Sequence, residues 1–256
     1  MKQTAMTIAY PVGKNLYLNL TNRCPCACTF CIRTMGSSAY GSDPLWLEHE
    51  PSWEEVKAAL DAVDVCSYEE VVFCGFGEPT ERLELLCKTA AYLKEQGVRC
   101  IRLNTNGLSD LLHERKTAQD LHGLVDIVSI SLNAGTEEEY RKVTRPKFPN
   151  AFAALQEFAA DCISLWHNPH CKGTFPLLLN TLQPDAQHYQ LSAFLHPLFP
   201  NLSGSIHQVI AVTLPASRHQ PAAESLRQVQ IVFHAIWVWN CRCPALQLCL
   251  CLIQKR

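Results

Sequence analysis

Asn15-Leu16-Tyr17-Leu18-Asn19-Leu20-Thr21-Asn22-Arg23-Cys24-Pro25-Cys26-Ala27-Cys28-Thr29-Phe30-Cys31 is the stretch on which the reading of this chain turns. Leu16 to Leu20 reads as a strand that runs straight into a loop carrying four thiols. Cys24, Cys28 and Cys31 stand at the spacing C-x3-C-x2-C, and so short a loop can turn three thiolates toward one soft centre. Zinc would need a fourth ligand, from Cys26 or a nearby His, and structural zinc pairs are more often C-x2-C. An iron–sulfur cluster with one iron not held by cysteine fits the spacing better. Cys26 reads as a structural neighbour of that set.

Downstream, strand and helix patterns alternate. Ser52 and Glu55 form a capping box ahead of the apolar stripe Val56, Leu60, Val63. Glu70 to Cys74 reads as a strand that ends in Gly75-Phe76-Gly77. Thr80 is expected to open a helix with Leu83, Leu86, Cys87, Ala90 and Leu93 on one face, stopped by Gly97. Arg99 to Thr105 is the next strand, Leu108 to His122 a helical stretch and Asp126 to Leu132 a further strand. Thr136 and Glu139 form a second capping box, and Phe152, Leu155, Phe158 and Ala159 line a last helix. Strands separated by single helices imply parallel βα units whose strand C-termini gather on one side. The economical architecture is an α/β fold, a partial (β/α) TIM-like barrel with its site at that edge.

Composition narrows the class of function. The 256 residues include 14 cysteines, are 48% hydrophobic and carry a formal net charge of -2. That excludes a disordered tail and leaves no electrostatic footprint for nucleic acid or an anionic membrane. No apolar run is long enough for a membrane span, and Met1 to Tyr10 has no signal-peptide core. Cysteine excess without a secretion signal points to metal or redox chemistry in the cytoplasm. Cys66, Cys87 and Cys100 fall on apolar faces and read as core thiols. Arg33 either faces a cofactor carboxylate or is a solvated loop arginine.

Residues 162–256 are written differently, with only eight of the charged residues and seven of the ten histidines. The regular pattern covers 1–161 as β/α units 1–4. The 162–256 segment is expected to be poorly ordered or to come from a shifted reading frame, with the barrel incomplete at its C-terminus. Cys241, Cys243, Cys249 and Cys251 form two C-x-C pairs whose metal binding is an open question.

Cys24, Cys28 and Cys31, with Phe30 before the last, resemble the signature of the radical S-adenosylmethionine (radical SAM) superfamily. Gly75-Phe76-Gly77-Glu78-Pro79 resembles its Gly-Gly-Glu-Pro segment, and Asn104-Thr105-Asn106-Gly107 and Ser129 to Asn133 follow in order on the next strand ends. The wording around them, Asn19 to Arg23 and Phe73 to Glu81, is similar to the radical SAM proteins associated with TatD nucleases. The resemblance covers roughly residues 5–161.

The resemblance implies a [4Fe-4S] cluster held by Cys24, Cys28 and Cys31, with S-adenosylmethionine on its open iron. It implies reductive cleavage of that cofactor to a 5′-deoxyadenosyl radical, which abstracts hydrogen from a substrate, either a small molecule or a protein. By the same likeness, Gly75 and Gly77 admit the methionyl group and Glu78 receives its ammonium. Asn104, Ser131 and Asn133 stand where relatives contact ribose or carboxylate. An electron donor such as flavodoxin or ferredoxin is implied as partner. Against these stand plainer readings: Glu78 as a capping acid on a turn, and the Ser and Asn residues as strand-end hydrogen bonders. The whole chain could also be a truncated, inactive relative, or a zinc or iron–sulfur module without catalysis.

Overall fold

The computed structural model describes residues 3–166, 177–181, 211–213 and 229–233. Their strands form one mixed sheet, in the order β1 (Ala9–Val12), β2 (Asn15–Leu18), β3 (Val71–Phe73), β4 (Ile101–Thr105), β5 (Ile127–Ser131), β6 (Leu177–Thr181), β8 (Val229–Phe233), β7 (Ala211–Thr213). From β2 to β6 every neighbouring pair is parallel. β1 is antiparallel to β2, and β8 is antiparallel to both β6 and β7. The architecture is a partial (β/α) TIM-like barrel that does not close. Its fifth parallel strand, β6, lies beyond residue 161. The four C-terminal cysteines and the seven histidines of the charge-poor segment lie outside the described residues.

The connections are helical, as the periodicity requires. α1 (Trp53–Asp61) follows β2 after a long loop, and α2 (Leu83–Glu95) links β3 to β4. α3 (Ser109–His113) and α4 (Ala118–Leu121) link β4 to β5, and α5 (Glu137–Thr144) and α6 (Ala151–Trp166) lead out of β5. On β4 the alternation is clean: Ile101, Leu103 and Thr105 are buried while Arg102 and Asn104 are half-buried on the other face. Leu16, Leu18, Val71, Phe73, Ile101, Leu103, Val128 and Ile130 form one core with helix residues such as Leu86, Leu93, Leu155 and Phe158. The helices thus close one side of the sheet and leave its polar residues to the other.

Several boundaries differ from the sequence reading, each for a local reason. β1 was not anticipated: Pro11 in the run argues against a central strand, and the structure uses it on the sheet edge, paired with Leu16. Ahead of α2, Pro79–Arg82 forms a one-turn 3-10 helix, so the α-helix starts at Leu83. The expected helix over 108–122 is two helices, because Glu114 adopts a left-handed conformation with φ 53° and ends α3. The Ser52/Glu55 capping box forms in full. At α5 only half of one does: the Glu139 N–H donates to Thr136, but the Glu139 carboxylate takes the Thr136 hydroxyl.

Candidate metal and cofactor site

The stretch after β2 is fixed by its polar side chains, one after another. The buried Asn19 amide donates to the Leu45 carbonyl at 2.8 Å and its oxygen accepts the Phe76 N–H at 3.3 Å. Thr21 donates to Glu50 at 2.8 Å. Asn22 clamps Leu47, donating to its carbonyl at 2.7 Å and accepting its N–H at 3.0 Å. Arg23 faces Glu50 and Glu81. The segment therefore joins β2 to the 45–50 loop and to the turn after β3 before the first cysteine is reached.

The cysteine loop is held from the far side by the end of α5. Ala27 donates its N–H to the Thr144 carbonyl at 3.0 Å and Thr29 to the Val143 carbonyl at 2.9 Å, while the Lys147 N–H reaches the Pro25 carbonyl at 2.9 Å. Cys26 and Pro146 form an isolated antiparallel bridge. No sequence signal marked 143–147 as the loop's support, because the pairing is backbone to backbone across more than a hundred residues.

The thiols of Cys24, Cys26 and Cys28 lie together. Hydrogen bonding from Cys26 holds the Cys24 and Cys28 thiol pKa values below the ordinary one, and the same bonds push that of Cys26 up. Cys26 is buried, whereas Cys24, Cys28 and Cys31 are partly accessible. Cys31 precedes the 3-10 turn Ile32–Thr34, and its carbonyl accepts the Thr34 hydroxyl at 2.7 Å. Among the described residues no three His, Cys, Asp or Glu side chains are already converged as a metal site. The donor set itself, soft thiols on a short loop at a strand's C-terminal edge, suits iron–sulfur ligation.

Glu78 is the hub on the opposite wall. It is 4% exposed. One carboxylate oxygen accepts from the Thr80 N–H at 3.2 Å, the Thr80 hydroxyl at 2.8 Å and the Thr105 hydroxyl at 2.7 Å. The other accepts the Asn106 N–H at 2.8 Å. Burial raises its pKa against the pull of those donors. Glu78 thus caps the 3-10 turn, as the plainer reading had it, and also ties β3 to β4. All these donors are neutral, and a carboxylate has about four lone-pair positions, so the oxygen bound to Asn106 retains acceptor capacity. A buried anion with neutral partners fits an ammonium group.

Gly75 and Gly77 serve close approach, but to protein. A Cβ on Gly75 would lie 2.1 Å from the Asn19 Oδ1, and one on Gly77 2.2 Å from the Thr21 carbonyl oxygen. Lacking Cβ atoms, they let the turn after β3 lie against the end of β2, where the Glu78 N–H donates to the Arg23 carbonyl at 2.8 Å.

On the remaining strand ends, the Asn104 amide hydrogen-bonds the Cys74 thiol, which burial pushes up to about 11. The Asn104 Oδ1 is buried without a hydrogen-bond partner. Ser131 ends β5, and Asn133 just beyond it is buried with φ 61°. Cys24, Glu78 and Asn106 come together, while Asn104 bonds the neighbouring Cys74.

Two sequence readings are corrected. Arg33 is no solvated loop arginine: it donates to the Asn22 carbonyl at 3.1 Å and to the Cys26 carbonyl at 3.5 Å, with its guanidinium over the Trp46 ring. Cys66 and Cys100 are not core thiols, the first being exposed and the second half-buried, whereas half-buried Cys87 packs against the main core as expected.

The family model described as Radical SAM superfamily matches residues 18–164. No curated protein matches the chain.

Proposed function

The chain belongs to the radical SAM superfamily by the match over residues 18–164, and from that premise we propose that it is a radical SAM enzyme, with Cys24, Cys28 and Cys31 holding a [4Fe-4S] cluster and S-adenosylmethionine bound along the strand ends. When bound and reduced, this pair supplies a 5′-deoxyadenosyl radical, formed with methionine from S-adenosylmethionine, that abstracts hydrogen from substrate. The observation that carries the reading is the cysteine loop, clamped between the end of β2 and the end of α5 and facing the Glu78 hub.

In this reading each wall has a task. The residues Asn19 to Arg23 fix where the thiols stand. Glu78 offers a buried carboxylate oxygen to the cofactor's ammonium. Gly75 and Gly77 keep the turn close to β2 and so set that carboxylate's depth. Asn104, Ser131 and Asn133 offer neutral hydrogen bonds to ribose and carboxylate. We place the protein in the TatD-associated branch, in the cytoplasm, served by a flavodoxin- or ferredoxin-like electron donor, with neither nucleic acid nor membrane as partner. Among the described residues no helix is long and apolar enough to cross a membrane. We take 1–161 as the core unit; sequencing the transcript around codon 162 and reading its other frames tests the origin of 162–256.

Anaerobic reconstitution with iron and sulfide tests the assignment. The full chain is expected to take up a cluster with visible charge-transfer absorbance and, with dithionite and S-adenosylmethionine, to form 5′-deoxyadenosine. Alanine at any of Cys24, Cys28 or Cys31 is expected to abolish both signals. Zinc in place of iron, or a retained cluster in the triple alanine variant, overturns the ligand set. A cluster without 5′-deoxyadenosine assigns the chain as an inactive relative.

A further inference from the structure

Asn106, the residue after β4, makes four contacts, two of them to the cysteine loop. Its Nδ2 stands 3.9 Å from the Cys24 Sγ and 3.9 Å from the Cys26 Sγ. Its Oδ1 accepts the Leu108 N–H at 2.9 Å. Its backbone N–H donates to Glu78 at 2.8 Å. We propose that Asn106 is a positioning residue that sets the reduction potential of the cluster by aiming its amide N–H at the Cys24 sulfur. The inference rests on the cluster reading above.

The orientation of the amide is fixed by its partners. Oxygen and nitrogen of an Asn side chain are told apart by hydrogen bonding, and only the oxygen can accept from the Leu108 N–H. The N–H end is therefore the one turned to the sulfurs. The backbone of Asn106 is held independently, since Glu78 is fixed in turn by Thr80 and Thr105. The amide has little freedom to turn away.

An N–H directed at a ligand sulfur draws charge from the thiolate and favours the more negative, reduced cluster. Asn supplies this without a charge of its own. The buried carboxylate of Glu78 acts in the opposite sense on electrons, so a neutral donor between it and Cys24 offsets part of its field.

The test is an electron paramagnetic resonance titration of the reconstituted full chain, comparing wild type with N106D and N106L. N106D removes the N–H donor and retains an acceptor for the Leu108 N–H; N106L removes both without adding charge. Both are expected to load iron and sulfide as wild type does and to be harder to reduce, by up to about tenfold in the reduction equilibrium, or about 59 mV for one electron. N106Q, which keeps an amide, is expected to recover part of the shift. Wild-type potential in both N106D and N106L overturns the inference while leaving the cluster reading intact. Loss of the cluster from both variants also overturns it, assigning Asn106 to building the loop instead. A wild-type chain that takes up no iron removes the ligand set, and with it both readings.

Discussion

At the scale of single residues, Gly77 is the most constrained position near the site. Alanine there would place a methyl 2.2 Å from the Thr21 carbonyl oxygen and 2.6 Å from that of Arg23, and neither backbone group can turn aside as a side chain would. Gly77→Ala is expected to lower the urea unfolding free energy by about 1–3 kcal/mol and to impair cluster loading, because the Glu78 N–H to Arg23 carbonyl bond sits at the same spot. Glu50 gives a pH signature. Desolvation alone would raise its pKa, but the Thr21 hydroxyl, Arg82, the Asn22 N–H and Arg23 together hold it below the ordinary carboxylate value. A carboxylate depressed in the folded state adds stability above its unfolded pKa and loses it as pH falls through the folded one. Wild type is therefore expected to exceed Glu50→Gln at neutral pH by on the order of 0.5–1 kcal/mol after solvent screening, and the gap to close in acid; a gap constant with pH would contradict this. Thiol labelling followed by peptide mapping reads the corrected cysteines. Exposed Cys66 is expected to react readily at neutral pH. Cys74 and Cys87, each pushed up to about 11 by burial, should react slowly. Cys162, 1% exposed, should react only on unfolding.

At the scale of elements, what could be read in advance was what local chemistry decides. The Ser52/Glu55 box appears as written, and Ser52→Ala is expected to cost about 1 kcal/mol of stability, measurable as a lowered denaturant midpoint. Gly97 ends α2 with φ +84°, as an unbranched backbone allows. What could not be read was decided by tertiary contact. Helical periodicity runs through Glu114, yet the Arg115 N–H returns to the Asp110 carbonyl and Thr117 bonds Asp110, which breaks the helix in two. β1 was hidden by a proline that only an edge strand tolerates. The candidate site divides in the same way. Its thiols and Glu78 stand out by spacing; Asn106 is marked only as part of the Asn104 to Gly107 stretch, without a role, and the 143–147 support is not marked at all, since it acts through backbone alone.

For the whole molecule, the core between sheet and helices is continuous from Ile8 to Cys162. Phe158 on α6 is fully buried in it, and Phe158→Ala is expected to cost about 3–5 kcal/mol, seen as a loss of cooperative unfolding at moderate temperature. The parallel order from β2 to β6 was legible as far as β5, because strands and helices there are written in clear period. β6 was not, since Leu177–Thr181 stands in a segment whose charge and periodicity differ from the rest.

The grip of Val143, Thr144 and Lys147 on Ala27, Thr29 and Pro25 bears on the order of events during synthesis. The cysteines leave the ribosome first, but the backbone that shapes their loop is made more than a hundred residues later. Until the chain has grown past Lys147 the loop is held on one side only, by the contacts of Asn19 to Arg23 with the 45–50 loop and the turn after β3. On the proposed cluster reading, insertion is then a step of late translation or of the finished chain, in competition with oxidation of the loop's thiols throughout that interval.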